Sequence, residues 1–188
     1  MIQNNLGVAL ETLGERESGT KSLDAAVEAY REALKEWTRD KAPRYWAGTQ
    51  NNLGIALETL GERESGTTSL DAAVEAHREA LKELTRDKAP LEWATTQNSL
   101  GIALATLGVR KRDPDLVCEA LRSELDAWEV SSAGGDMYNA SKAANSGLGQ
   151  ISLLVGKSKQ TSQACVTKHE SVIQRMKAWK QQHLTVVD

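Results

Sequence analysis

Three times along the chain the same short phrase returns at a fixed distance. Gln3-Asn4-Asn5-Leu6-Gly7 reappears as Gln50-Asn51-Asn52-Leu53-Gly54 and as Gln97-Asn98-Ser99-Leu100-Gly101, shifted by 47 residues each time, and Leu148-Gly149 follows at a shift of 48. Residues 3–40 and 50–87 are identical at 34 of 38 positions, differing at Val8/Ile55, Lys21/Thr68, Tyr30/His77 and Trp37/Leu84, so the copies point to a recent duplication. A period of this length constrains the fold more than any local propensity does. Each copy is one supersecondary unit that buries its remaining apolar face only by stacking on the next.

Within the second copy the pattern reads as two helices. After Pro43, the residues Trp46, Gln50, Leu53, Leu57 and Leu60 recur at spacings of 3, 4 and 7, the signature of an amphipathic helix A ending near Gly61. After the turn Ser65-Gly66-Thr67, where Thr67 or Thr68 can cap the free amides, Leu70, Ala73, Val74, His77, Ala80, Leu81 and Leu84 form the stripe of helix B. A short glycine-containing turn makes the two antiparallel neighbours, and Gly54 and Ala73 are small enough to let the backbones approach. The expected fold class is all-α, an α-solenoid of about four hairpins forming one repeat domain over residues 1–188. Its units are 1–42, 43–89, 90–133 and a divergent capping unit 134–181, with a tail over 182–188.

In that last unit Met137, Ala140, Ala144, Leu148, Ile151 and Val155 keep a helix A, and Cys165, His169, Val172, Ile173, Met176 and Trp179 keep a helix B. Its surface identities are lost, as expected of a terminal repeat with one face in water. At the other end Met1-Ile2 stands in place of the Pro-x-x-Trp-Ala start of the later copies, as if an array had been trimmed there.

Charge narrows the partners. Residues 1–156 carry 17 Lys/Arg against 24 Asp/Glu, whereas the last 32 residues carry 6 against 2. An acidic body argues against nucleic-acid binding, which draws most of its affinity from a basic surface. The tail cations Lys157, Lys159, Lys168, Arg175, Lys177 and Lys180 read as a solvated helix face. Cys118 and Cys165 belong to no metal-ligand or redox spacing and are expected as buried reduced thiols, which fits a cytoplasmic protein. No leader pattern opens the chain and no apolar run reaches a bilayer-spanning length, so secretion and membrane insertion are unsupported.

With the helices placed, the residues resemble the tetratricopeptide repeat (TPR) family over nearly the whole chain. Leu53-Gly54, Leu57, Ala73, His77 and Ala80 stand where that family has its Leu-Gly, large residue, Ala, aromatic and Ala, and Ala26, Tyr30 and Ala33 keep the Ala-x3-aromatic-x2-Ala spacing with a true aromatic. The period of 47, against the family's common 34, is similar to the long-period bacterial repeats written Gln-Asn-Asn-Leu-Gly, Leu-Gly-Glu-Arg and Tyr-Arg-Glu-Ala-Leu. The resemblance implies a right-handed solenoid whose concave surface, lined by helices A, binds a peptide or protein partner. Relatives of that kind flank signalling, NTPase or caspase-like modules, none of which this chain contains.

On a helical wheel Asn51, Ile55, Glu58 and Thr59 lie opposite the apolar stripe of Trp46, Leu53, Leu57 and Leu60. Their equivalents are Asn4, Val8, Glu11 and Thr12, then Asn98, Ile102, Ala105 and Thr106. An amide row beside an aliphatic row can bond a peptide backbone and take apolar side chains. The alternative is that Val8, Ile55 and Ile102 pack between successive A helices while the Asn side chains bond their neighbours. Chaperone-binding relatives grip a terminal carboxylate with Lys and Arg on helix A, where this chain has Asn51, Asn52 and Ile55, so a carboxylate clamp is not expected.

No phosphate loop, HExxH pair, GxSxG elbow or metal-spaced cluster occurs, so no catalytic residue, metal or cofactor is expected. His77 stands in a packing position, and His169 and His183 have no Cys/His partner nearby in sequence. Glu62-Arg63-Glu64 and Glu15-Arg16-Glu17 read as solvated turns. A different class of function is a self-associating spacer: an uncapped first hairpin carrying Val8, Leu10 and Leu13 leaves apolar surface for dimerisation or stacking into a homo-oligomer.

Overall fold

The computed structural model describes residues 1–155 and 160–183, with side chains described outside 151–163, and within these bounds it contains helices and no strand. Ile151 and Val155, predicted for the last helix A, and the cations Lys157 and Lys159 fall outside the described side chains. The helices are α1 (Ile2–Arg16), α2 (Lys21–Glu36), α3 (Pro43–Arg63), α4 (Thr68–Ala80), α5 (Pro90–Lys111), α6 (Pro114–Ala133), α7 (Met137–Val155), α8 (Gln160–Lys168) and α9 (Glu170–His183). They form two compact units, residues 1–88 and 89–188.

In the first unit α1 packs on α2 and α3 on α4, and α3 lies against both α2 and α1. The Leu-Gly pair explains how the hairpins close. A Cβ on Gly7 would sit 2.5 Å from the Tyr30 ring, and one on Gly54 2.5 Å from the His77 ring, so each glycine leaves the room that a ring occupies. Leu23 and Leu70 fill the same role over Gly14 and Gly61 one helical repeat further on. Pro43 and Pro90 open α3 and α5 in the first turn, where a missing N–H costs nothing.

The threonine cap expected in the second copy is not made. Thr67 stands at the N-cap of α4 and Thr20 at that of α2, but neither side chain accepts a cap bond. The turns are tied by Ser69 Oγ donating to Glu64 Oε2 and Ser22 Oγ to Glu17 Oε2, each at 2.6 Å. Helix B of the second copy is also shorter than expected: α4 ends at Ala80 and the chain continues in turns, although Leu84 remains buried.

In the second unit α6 is central, packing on α5, α7, α8 and α9. Its start is a true cap, with Asp113 accepting from the amides of Asp115 and Leu116 ahead of Pro114. The core joins Val117, Leu121, Leu125 and Trp128 of α6 to Ala140 and Ala144 of α7 and Ile173 and Met176 of α9. Two expectations fail here. The single last helix B is two helices, because a turn at His169 separates α8 from α9. The two cysteines are not thiols: Cys118 and Cys165 form a disulfide that ties α6 to α8, their Cα atoms 6.0 Å apart. The bond spans 47 residues, a spacing with no metal-ligand or redox signature, so the pairing was not legible in the sequence.

Candidate binding face

The predicted face divides into residues turned inward and residues lining open space. On α1, Asn4 Oδ1 accepts from Thr49 Oγ1 of α3 at 3.1 Å, and Glu11 Oε2 accepts from the Tyr30 hydroxyl of α2 at 2.6 Å. On α3, Asn51 Oδ1 lies 3.2 Å from His77 Nδ1 of α4. Asn4, Glu11 and Asn51 are thus fastened to neighbouring helices, while Val8 is exposed and Ile55, Glu58 and Thr59 are half-buried. Thr12, Thr59 and Thr106 return their hydroxyls to the carbonyls of Val8, Ile55 and Ile102 in their own helices, at 2.9, 3.1 and 3.1 Å.

In the second unit Ile102 and Thr106 line a groove of about 490 Å³ between α5 and α7, with Ala105 and Val109 from α5 and Asn145, Gly149 and Gln150 from α7. A Cβ on Gly149 would meet nothing within 4 Å, so the groove is open on that side. Gln150 is 6% exposed, and its Oε1 has no donor. Asn98, one helical turn before Ile102, is 3% exposed with Oδ1 likewise lacking a donor. Both oxygens are closed to solvent, and Asn98 lies outside the groove's lining. Gln150, Asn145 and Val109 were not anticipated, because the fourth repeat no longer carries the amide phrase and Gln150 stands where the third has Ile102.

The position under which Gly7 and Gly54 lie has a third occupant. Glu124, fully buried on α6, follows Tyr30 and His77 at the 47-residue interval and crowds Gly101 as they crowd their glycines. Its Oε1 accepts from Ser146 Oγ of α7 at 2.6 Å. A single apolar-looking site in the hairpin therefore holds a phenol, an imidazole and a carboxylate, each hydrogen-bonded to a helix A.

Burial sets the electrostatics of this position. Burial pushes the Tyr30 hydroxyl well above its ordinary range, and the bonded Glu11 carboxylate adds to the effect. Burial also raises Glu11, partly offset by the Tyr30 bond. His77 is pushed down to about 4 by burial. Asn51 Oδ1 favours the tautomer with hydrogen on Nδ1, so protonation would place a second N–H at buried Nε2, which has no acceptor.

A pH dependence follows. The unfolded chain takes up a proton at His77 near the ordinary value of 6.5, but the folded chain does so only near 4. Stability from the neutral imidazole is complete above pH 6.5 and is lost as pH falls towards 4, by on the order of 3 kcal/mol. His77→Tyr, which installs the first hairpin's residue, is expected to flatten the acid side of the stability profile measured by urea unfolding between pH 7.5 and 4.5. An unchanged slope would assign the acid sensitivity to other groups, including His169, which burial also lowers.

No protein-family model matches the chain, and neither a curated protein nor a solved structure does. Among the described residues no group of three or more His, Cys, Asp or Glu could hold a metal ion, and no helix is long and apolar enough to cross a membrane.

Proposed function

We propose that the chain is a non-enzymatic protein-interaction scaffold of the tetratricopeptide type, a right-handed solenoid that takes a peptide or protein partner on the face of its A helices. The observation that carries the reading is the α5–α7 groove: predicted face residues Ile102 and Thr106 line open space beside Gln150, whose buried oxygen lacks a donor. An aliphatic floor flanked by the carboxamides of Asn145 and Gln150 suits an extended segment.

The test is a pull-down from host lysate with the full chain as bait, beside Ile102→Lys/Gln150→Ala. A protein held by the parent and released by the variant, with the two melting together, supports the face; equal retention by both removes it. The reading extends to a cytoplasmic setting, against which the Cys118–Cys165 disulfide weighs, because glutathione keeps most cytosolic cysteines reduced. Alkylation in intact cells checks this: two adducts per chain support it, and an unlabelled pair places the protein in an oxidising compartment.

A second reading, end-on association, is favoured by the outer edge of α1, where Ile2, Leu6 and Leu13 are 83%, 46% and 47% exposed. Light scattering over a wide concentration range separates an associating chain from a monomer.

A further inference from the structure

Charge at the end of helix A reverses in the third repeat. Glu11, Glu15 and Glu17 stand along the last turns of α1 and at its C-cap, and Glu58, Glu62 and Glu64 hold the same places on α3. In the third repeat these positions are Ala105, Val109 and Lys111, while Arg16 and Arg63 keep a counterpart in Arg110, and Ser18 and Ser65 become Arg112. Residues 11–18 and 58–65 therefore each carry three carboxylates and one cation, and residues 105–112 carry three cations and no carboxylate. Of the carboxylates that follow, Asp113 is turned to the amides of α6 as its cap, and Asp115 lies in the first turn of that helix.

Only the first of these changes has a reason inside the hairpin. Glu11 bonds the Tyr30 hydroxyl, but the third repeat has Glu124 in the place of Tyr30, so a carboxylate at 105 would be set against a like charge. Val109, 42% exposed, and the exposed Lys111 and Arg112 answer to no such demand of the core. What these residues share is a place. Ala105, Val109 and Arg110 line the α5–α7 groove beside Ile102, and Lys111 and Arg112 follow at its end, while the α7 wall is the neutral Asn145, Ser146, Gly149 and Gln150. Among its described lining residues the groove has an aliphatic floor, a cation and no carboxylate.

We propose that the α5–α7 groove takes an acidic segment of a partner protein, an extended stretch in which an apolar side chain seated on Ile102 and Val109 is flanked by Asp or Glu drawn to the cations at the groove's end. This rests on the binding-face reading and gives that face its ligand class. Opposite charge supplies the selectivity: a basic segment meets three cations, and a neutral one gains the floor alone.

The test is a selection of displayed random peptides against the full chain and two variants. Gly149→Trp fills the groove without changing its charge, at a site where a Cβ meets nothing within 4 Å. Val109→Glu/Lys111→Glu returns two exposed positions to the residues of the first two repeats. Peptides that the parent retains and Gly149→Trp loses are expected to be rich in Asp and Glu around an apolar residue. The strongest of them, followed by fluorescence anisotropy, should bind Val109→Glu/Lys111→Glu about tenfold or more weakly although that variant melts with the parent, and the difference should narrow at high salt. Groove-dependent peptides that are neutral or basic, or acidic ones that bind parent and charge variant alike, would overturn the acidic ligand while leaving the groove a binding face. Peptides indifferent to Gly149→Trp, or none enriched, would overturn the groove with it. A single-stranded oligonucleotide bound by the parent and lost by the charge variant, with no peptide enriched, would put nucleic acid in place of the segment.

Discussion

Ala73→Glu is expected to unfold the α3–α4 hairpin and lower stability by on the order of 5 kcal/mol, the range reserved for buried charge and overpacking together. Ala73 has no exposed surface and lies on α4 one helical turn before His77, where Gly54 shows the two backbones to be in near contact. A carboxylate there needs volume that only separation of the helices can provide, and nothing beside it in sequence offers a cation. Ionised, it would lose its water without a partner; protonated, it would still be four heavy atoms too large. Since a domain of this size is stable by only about 5–15 kcal/mol, loss of helical signal at 25 °C is the expected result by circular dichroism. Ala25→Glu, the same change at an exposed position of α2, is the control and should melt within about 0.5 kcal/mol of the parent. Similar melting of the two variants would show that the hairpin does not depend on this close approach.

The hairpins were legible because duplication displayed the pattern three times, and because glycine and proline act locally. Gly7 and Gly54 are required by the rings above them, and Pro43 and Pro90 begin helices wherever they are placed. The cap was misread since Thr67 satisfies the sequence rule, but Ser69 reaches Glu64 across the turn and the Thr67 side chain makes no cap bond. On the predicted face, side-chain type alone could not distinguish an amide aimed at solvent from one aimed at a neighbouring helix. Asn51 turns to His77 because a buried imidazole needs an acceptor, and Asn4 turns to Thr49 because that hydroxyl is buried. Ile102 and Thr106 stayed at open space because α7 brings Gly149 and Gln150 opposite them in place of a close-packed wall. The break between α8 and α9 had no such local mark: His169 carries no turn preference strong enough to announce it.

Removing the Cys118–Cys165 bond is expected to cost the second unit about 4 kcal/mol, the chain-entropy value for a cross-link closing a loop of this size, within an observed range of roughly 0–5. The bond spans 47 residues, from α6 past the whole of α7 to α8, so the unfolded chain gains considerable freedom when it opens. Few of the described side chains of α8 share in holding it. It has 9 residues, well below the length at which an isolated helix persists in water, and its described buried side chains are Cys165 itself and Val166. By contrast α9 is fastened through Ile173 and Met176 in the core, through Trp179 set edge-on to Trp128 at 6.3 Å, and through Arg175, which lies over Trp128 and pairs with Glu129 at 2.9 Å. Reduction, or Cys118→Ser with Cys165→Ser, should therefore release α8 first. Hydrogen exchange should speed most over residues 160–168, less over 170–183, and not at all in the first unit, while the urea midpoint falls. Serine is close to cysteine in size, so a double variant that matched the oxidised chain in both readouts would mean that packing, and not the cross-link, holds α8 to α6.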